Sequence, residues 1–189
     1  MTYKKVNVYL AGKIEANGWR QQIVDIRNGA MFWGEYNINT IKNLKLQYNK
    51  NIDITGPFFL SCDHSCYHGE NSHGLGIQRE EGCYCEKTFS EEQVNDICLS
   101  QIRKSDIVFA YINDDTCYGT LYELGYAAAL GKKIAILFDL PERIKKMWFI
   151  TKNADIVKLQ KVYKEYTVEQ HFDEMINELR DKINAELNK

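Results

Sequence analysis

The chain has little proline and no long apolar run. Only Pro57 and Pro141 occur among 189 residues, so no proline-rich linker divides it, and its length fits one domain spanning 1–189. A chain of this size buries a proper core without disulfide staples. No apolar segment approaches the roughly 20 residues that a membrane span needs, so no membrane partner is expected. Excess positive charge is also missing. Lys and Arg number 24 against 26 Asp and Glu, a net charge of −2, which lacks the electrostatic footprint of a nucleic-acid binder. A small anionic ligand, needing one or two local cations, stays compatible with that balance. The opening MTYKKVNVYLAG has too short an apolar stretch for a signal peptide and no cleavage site, so the cytoplasm is the expected location. The six cysteines are then reduced and need a reason other than a disulfide framework.

What is present is an alternation of strands and helices. VNVYLAG at Val6–Gly12, IVFAYI at Ile107–Ile112 and KIAILF at Lys133–Phe138 read as buried strands. The stretch 52–60 reads as a strand running into a turn at Gly56 and Pro57. Trp19, Ile23, Ile26 and Ala30 recur at helical spacing and predict a helix over 19–31. Ser90 with Gln93 forms a capping box. The helix behind it buries Val94, Ile97, Cys98 and Ile102 and ends near Ser105. A second box, Thr167 with Gln170, opens a C-terminal helix with Phe172, Met175, Ile176, Leu179 and Ile183 on one face. The polar stretch 37–51 takes no assignment, and 61–86 reads as a long loop. The alternation implies an α/β fold, a doubly wound parallel sheet with helices on both faces.

The segment 119–138, GTLYELGYAAALGKKIAILF, is the most informative. A polar turn at 113–119 leads from one strand into a helix expected over 120–131, with Glu123 in its first turn. Ligands of open α/β sheets sit at such turns, outside the carboxyl ends of the strands. Thr120 and Glu123 also fit a capping box, which is the purely structural reading of the glutamate. Asp114 and Asp115 add carboxylates to the turn, and Gly119 and Gly125 permit close approach by a neighbour or a ligand. After the first strand, the turn from Gly12 through Lys13 to Trp19 and Arg20 can hold phosphate on backbone N–H groups with two cations, or is a solvated basic loop. Trp19 can stack on a base, although its spacing favours core packing. The loop 61–86 gathers Cys62, His64, Cys66, His68, His73, Cys83 and Cys85. These are enough ligands for zinc, but not at the usual C-x2-C spacing, and no metal is assigned. The rival reading is a pocket lid in which Phe58 and Phe59 pack a base and His64 or His68 bonds to it; a plain surface loop is the third.

With YLAGKI, SDIVFAYI and GTLYELGYAAALGKKI, the chain resembles the nucleoside 2-deoxyribosyltransferase family and its relatives, the nucleotide N-glycosidases. The resemblance covers the first strand and about 96–138. It implies a flavodoxin-like sheet and no cofactor. It also implies that Glu123 is the nucleophile, attacking the anomeric carbon of a 2′-deoxyribonucleoside to form a covalent deoxyribosyl-enzyme. A second base or water then releases the sugar with retained configuration. Asp96 matches an aspartate that binds the base and assists its protonation; otherwise it serves a helix dipole. Tyr9 matches a hydroxyl that orients the nucleophile; otherwise it is a core tyrosine. An aspartate usual in the family is replaced by Cys117, leaving Asp114 or Asp115 as substitutes for its sugar contact. The last residues, NELRDKINAELNK, read as a solvated helix end rather than the aromatic tail some members insert into a neighbour. The implied partners are a nucleoside or nucleotide, a free nucleobase and further copies of the chain in a homo-oligomer. Two alternatives accompany this reading, a hydrolase of deoxynucleoside 5′-monophosphates and a non-catalytic nucleotide-binding sensor.

Overall fold

The computed structural model describes residues 4–13, 18–24, 38–57, 74–79, 82–88, 90–161 and 166–188. In chain order the elements are β1 (Val6–Gly12), α1 (Arg20–Ile23), α2 (Ile38–Asn43), β2 (Leu46–Asn49), β3 (Ile52–Gly56), β4 (Gly74–Arg79) and β5 (Gly82–Thr88). They continue with α3 (Glu91–Lys104), β6 (Ile107–Ile112), α4 (Tyr118–Ala129), β7 (Lys133–Phe138), α5 (Pro141–Lys146), α6 (Trp148–Thr151), β8 (Ile156–Leu159) and α7 (Val168–Leu187).

Six strands form one sheet in the order β2-β3-β1-β6-β7-β8. Every pairing is parallel except β2 with β3. The sheet is therefore mixed, with one antiparallel strand on the edge. The five parallel strands, counted by themselves, run second, first, third, fourth, fifth, which is the flavodoxin-like winding. Alternation along each strand divides the core into two layers. Val8, Leu10, Phe109 and Leu137 meet Phe172, Met175 and Ile176 of α7 on one face. Tyr9, Val108, Ala110 and Ile136 meet Ile102 of α3 and Leu124 and Ala127 of α4 on the other.

Two aspartates pin the strand starts in the same way. Asp106, just before β6, donates its N–H to the carbonyl of Asn7, and its Oδ2 accepts the Asn7 N–H at 2.9 Å. Asp155, just before β8, donates to the carbonyl of Ile134 and accepts the Ile134 N–H at 2.8 Å. Each also pairs with a lysine, Lys4 for Asp106 and Lys133 for Asp155. SDIV and ADIV are thus one local device used twice.

Several expectations need correction. The helix expected over 19–31 is a single turn, α1, and Val24 is already extended at φ −139° and ψ 125°; Ile26 and Ala30 lie outside the described residues. The unassigned stretch 37–51 holds α2 and β2. The long loop contains an antiparallel pair, β4 with β5, running from Gly74 opposite Thr88 to Arg79 opposite Gly82, with a register shift between Leu75 and Gly76. Only two residues join these strands, so a hairpin follows from the chain's reach. Among the described residues, no helix is long and apolar enough to cross a membrane.

Gly125 does not mediate a tight helix–strand contact. A Cβ added there meets nothing within 4 Å. The position borders a cavity of ≈ 500 Å³ between α4 and α6, also lined by Leu121, Ala128, Met147, Phe149 and Ile150. Glycine inside a helix is about 1 kcal/mol worse than alanine. Gly125→Ala is therefore expected to stabilise the protein by about that amount, read as a raised denaturation midpoint with unchanged m-value.

Candidate active site

The winding reverses between β1 and β6, so their carboxyl ends open the crevice where this architecture takes ligands. Residues following the two strands meet there. Lys13 after β1 bonds Asp114 after β6, Nζ to Oδ2, at 2.6 Å. Asp114 also accepts the N–H and hydroxyl of Thr116 at 2.6 and 2.5 Å. The Lys13 bond, followed by those from Thr116, holds its carboxyl far below the usual range. Asp115 turns the other way and pairs with Arg143 and Lys146 of α5 at 2.7 and 2.8 Å. The two turn aspartates are therefore separated, and only Asp114 reaches the rim of the crevice. Gly12 closes β1 at φ +148°, where a Cβ would sit 2.8 Å from the Tyr111 carbonyl oxygen and 2.9 Å from Trp19. Both the backbone and the close approach require glycine there.

Helix α4 starts at Tyr118 with Cys117 as its N-cap, and no side chain caps it. The capping-box reading of Thr120 and Glu123 therefore fails. Thr120 is a buried residue in the first turn, and Glu123 belongs to the second turn, where the helix dipole has largely fallen away. Glu123 is instead held by other elements. The Tyr9 hydroxyl of β1 donates to its Oε1 at 2.5 Å. The charge of Arg20 and, less strongly, the nearby Cys98 thiol of α3 act on it as well. Burial raises the Glu123 pKa, while Tyr9, Arg20 and Cys98 pull it back, leaving it at about 6. The side chain as a whole is only partly buried, so the carboxylate is desolvated yet close to the surface. At neutral pH it is mainly ionised. Tyr9 has no exposed surface; burial above all, together with the Glu123 charge, holds its hydroxyl protonated, so it acts as a donor.

Arg20 is not available as assigned from sequence. It is buried, and its Nε, Nη1 and Nη2 donate to the carbonyls of Leu10, Lys13 and Gly12 at 2.9, 2.8 and 2.6 Å. The guanidinium thus ties down the end of β1 rather than facing a phosphate. Trp19 is a core residue, 5.8 Å from Phe109 and 5.7 Å from Tyr111 between ring centroids. Asp96 is likewise not brought to Glu123. It lies on the exposed side of α3, in contact with Lys42 and 4.0 Å from Arg103. Cys98, two residues on, points to the opposite side, as helical geometry demands. An added Cβ at Gly119 meets nothing within 4 Å, so no close approach explains that glycine. Phe58, Phe59, His64 and His68, with Cys62, Cys66 and His73, lie outside the described residues. Cys83 and Cys85 are positions on β5.

The family model for nucleoside 2-deoxyribosyltransferases matches residues 8–178. The chain belongs to the nucleoside 2-deoxyribosyltransferase family. The match spans nearly the whole chain, well beyond the two segments that carry the resemblance in sequence. A search of the curated proteins finds no match. Membership makes nucleosides and nucleobases the ligand class, and glycosyl transfer or N-glycoside cleavage the class of chemistry. Sequence reasoning missed Cys98, whose thiol acts on the Glu123 carboxyl. Its only signal was a place on the buried face of α3, which Val94 and Ile97 share.

Proposed function

We propose that this protein exchanges the base of a 2′-deoxyribonucleoside, with Glu123 as nucleophile and Tyr9 as the hydroxyl that orients it. The observation carrying this reading is the Glu123 carboxylate itself, desolvated, mainly ionised at neutral pH and bonded by Tyr9 at the switch point. A carboxylate oxygen attacks C1′ as the glycosidic C–N bond breaks. The bonding electrons leave with the base, which takes up a proton. The adjacent anion stabilises the oxocarbenium-like charge and then bonds to it. An incoming base displaces Glu123 from the same carbon and gives up the proton its predecessor took. Two inversions leave the configuration retained.

The unphosphorylated nucleoside is favoured over its 5′-monophosphate by the engagement of both cations that a phosphate was expected to use. Lys13 bonds Asp114, and Arg20 bonds the β1 carbonyls. Among the described residues Asp96 is bound to Lys42, so its assignment as the acid for the leaving base carries less support than that of Glu123. Incubation with a deoxynucleoside and a second free base, followed by chromatography, tests the reading. New deoxynucleoside is expected, with one deoxyribosyl unit on the quenched enzyme by mass spectrometry. Failure to exchange or hydrolyse any deoxynucleoside or its monophosphate, with ligand still bound, turns the reading into the sensor.

Activity should fall on the acid side with a midpoint near the Glu123 pKa of about 6. Tyr9→Phe removes the first of the influences that lower this pKa. The acid limb should move upward in pH and kcat at pH 7 should drop about tenfold, as read from a pH–rate profile.

A further inference from the structure

We propose that the outer face of α4 and α6 docks a second copy of this chain, through a two-fold interface in which exposed rings of each copy enter the cavity of the other. The inference stands apart from the reaction and does not need Glu123 to be the nucleophile.

Helix α4 is apolar on more than one side. Glu123 is the sole charged residue among its 12. Thr120, Leu124 and Ala127 form its buried side. Tyr118, Leu121, Tyr122, Gly125 and Ala128 recur at three- and four-residue spacing and make a second stripe. A helix that is apolar all round is normally covered on every side, yet Tyr118 and Tyr122 are 74% and 60% exposed. Helix α6 continues this face. Its Trp148 and Phe149 stand edge-on with ring centroids 5.6 Å apart, and they are 61% and 71% exposed. Phe149 shares the cavity of ≈ 500 Å³ with Leu121, Gly125 and Ala128, so the two helices present one continuous apolar surface.

At about 150–250 Å² for each fully exposed ring, the four leave about 400–700 Å² of aromatic surface in water. Monomers rarely leave an apolar patch larger than a few hundred Å² uncovered. A stable interface of ordinary size takes about 800 Å² from each partner, and these rings supply about half of that or more. Shape favours a second copy over an unlike partner, because knobs and a hole lie on the same surface. A two-fold axis sets the rings of each copy against the cavity of the other and closes, leaving nothing open for an endless chain of copies. Gly125 gives the hole its depth. No contact within its own chain requires glycine there, and bare backbone is what an incoming ring can approach. Charge does not oppose the contact. At the mouth Lys146 is paired with Asp115 at 2.8 Å, so no unbalanced lysine faces its counterpart across the axis.

Sedimentation equilibrium of the full chain, from about 1 to about 100 μM, tests the assignment. The wild type should show twice the chain mass of 22.0 kDa, or an even multiple of it. Trp148→Glu and Tyr122→Glu change exposed positions, so both should keep the wild-type circular dichroism. Each should weaken association at least about thirtyfold. Leu187→Glu, at a residue 64% exposed on α7, should leave association unchanged. Hydrogen exchange of the wild type at the two extremes of concentration should show added protection in α4 and α6 at the higher one. A wild-type chain that stays at 22.0 kDa throughout overturns the proposal, including the case in which an unlike partner or another part of the chain covers this face. So does an assembly that both glutamate variants retain, which places the contact elsewhere.

Discussion

Replacing Glu123 with Gln is expected to lower base exchange at least about a thousandfold and to leave the protein folded and somewhat more stable. The amide is nearly isosteric and can accept the Tyr9 hydrogen bond, so the link from β1 to α4 is kept. It cannot attack C1′ and carries no charge to balance the oxocarbenium-like state. Stability follows from linkage. The folded pKa of Glu123 is raised to about 6 from an ordinary 4.5. The protonated form is therefore favoured by folding, and the gain is complete below the unfolded pKa. It is lost as pH rises through the folded value. Above pH 6 the wild type holds a disfavoured anion worth about 1–2 kcal/mol, toward the lower end because the side chain is partly solvated. Glu123→Gln should be flat across that window and gain most over the wild type at pH 7–8. Urea midpoints at pH 5 and pH 8 read the difference. An exchange rate near wild type would remove Glu123 from the chemistry whatever the stabilities show.

The second large effect concerns Arg20. Arg20→Met is expected to cost about 3 kcal/mol of stability and to reduce turnover of nucleosides and their monophosphates in parallel. Methionine fills much of the same apolar volume beside Trp19, where the guanidinium lies 4.6 Å from the ring, but it leaves the carbonyls of Leu10, Gly12 and Lys13 without their donors. Two of these belong to the last residues of β1, the strand that carries Tyr9. The Glu123 carboxylate also loses a nearby positive charge, so its pKa should climb. Thermal denaturation and a pair of assays, one with each substrate, check the expectation. Loss confined to the monophosphate, with stability unchanged, would return Arg20 to the ligand.

The central strands were legible in the sequence because they are covered on both faces. Val6–Gly12, Ile107–Ile112 and Lys133–Phe138 stand where their apolar runs indicate. Both capping boxes, at Ser90 and at Thr167, have their reciprocal bonds. The edges were not legible. β2 and β8 have four residues each, too few for a period to show. The Thr120 and Glu123 pattern misled because a cap depends on where the helix begins, and Tyr118 and Gly119 extend α4 by two residues. Glu123 and Tyr9 could be paired through family resemblance. That Arg20 is committed to three carbonyls could not, since those bonds depend on how the chain turns after β1. Cys98 escaped for a similar reason: the residues across from it come from elements far away in the sequence.

Asp106 and Asp155 sit at the opposite end of the sheet from the Lys13–Asp114 rim. They divide the labour of the molecule lengthwise. The floor is fastened by repeated carboxylate clamps with lysine counter-charges, and the ceiling holds the Glu123 carboxylate. Changes that loosen or tighten the floor are thereby expected to alter stability without touching the residues around Glu123.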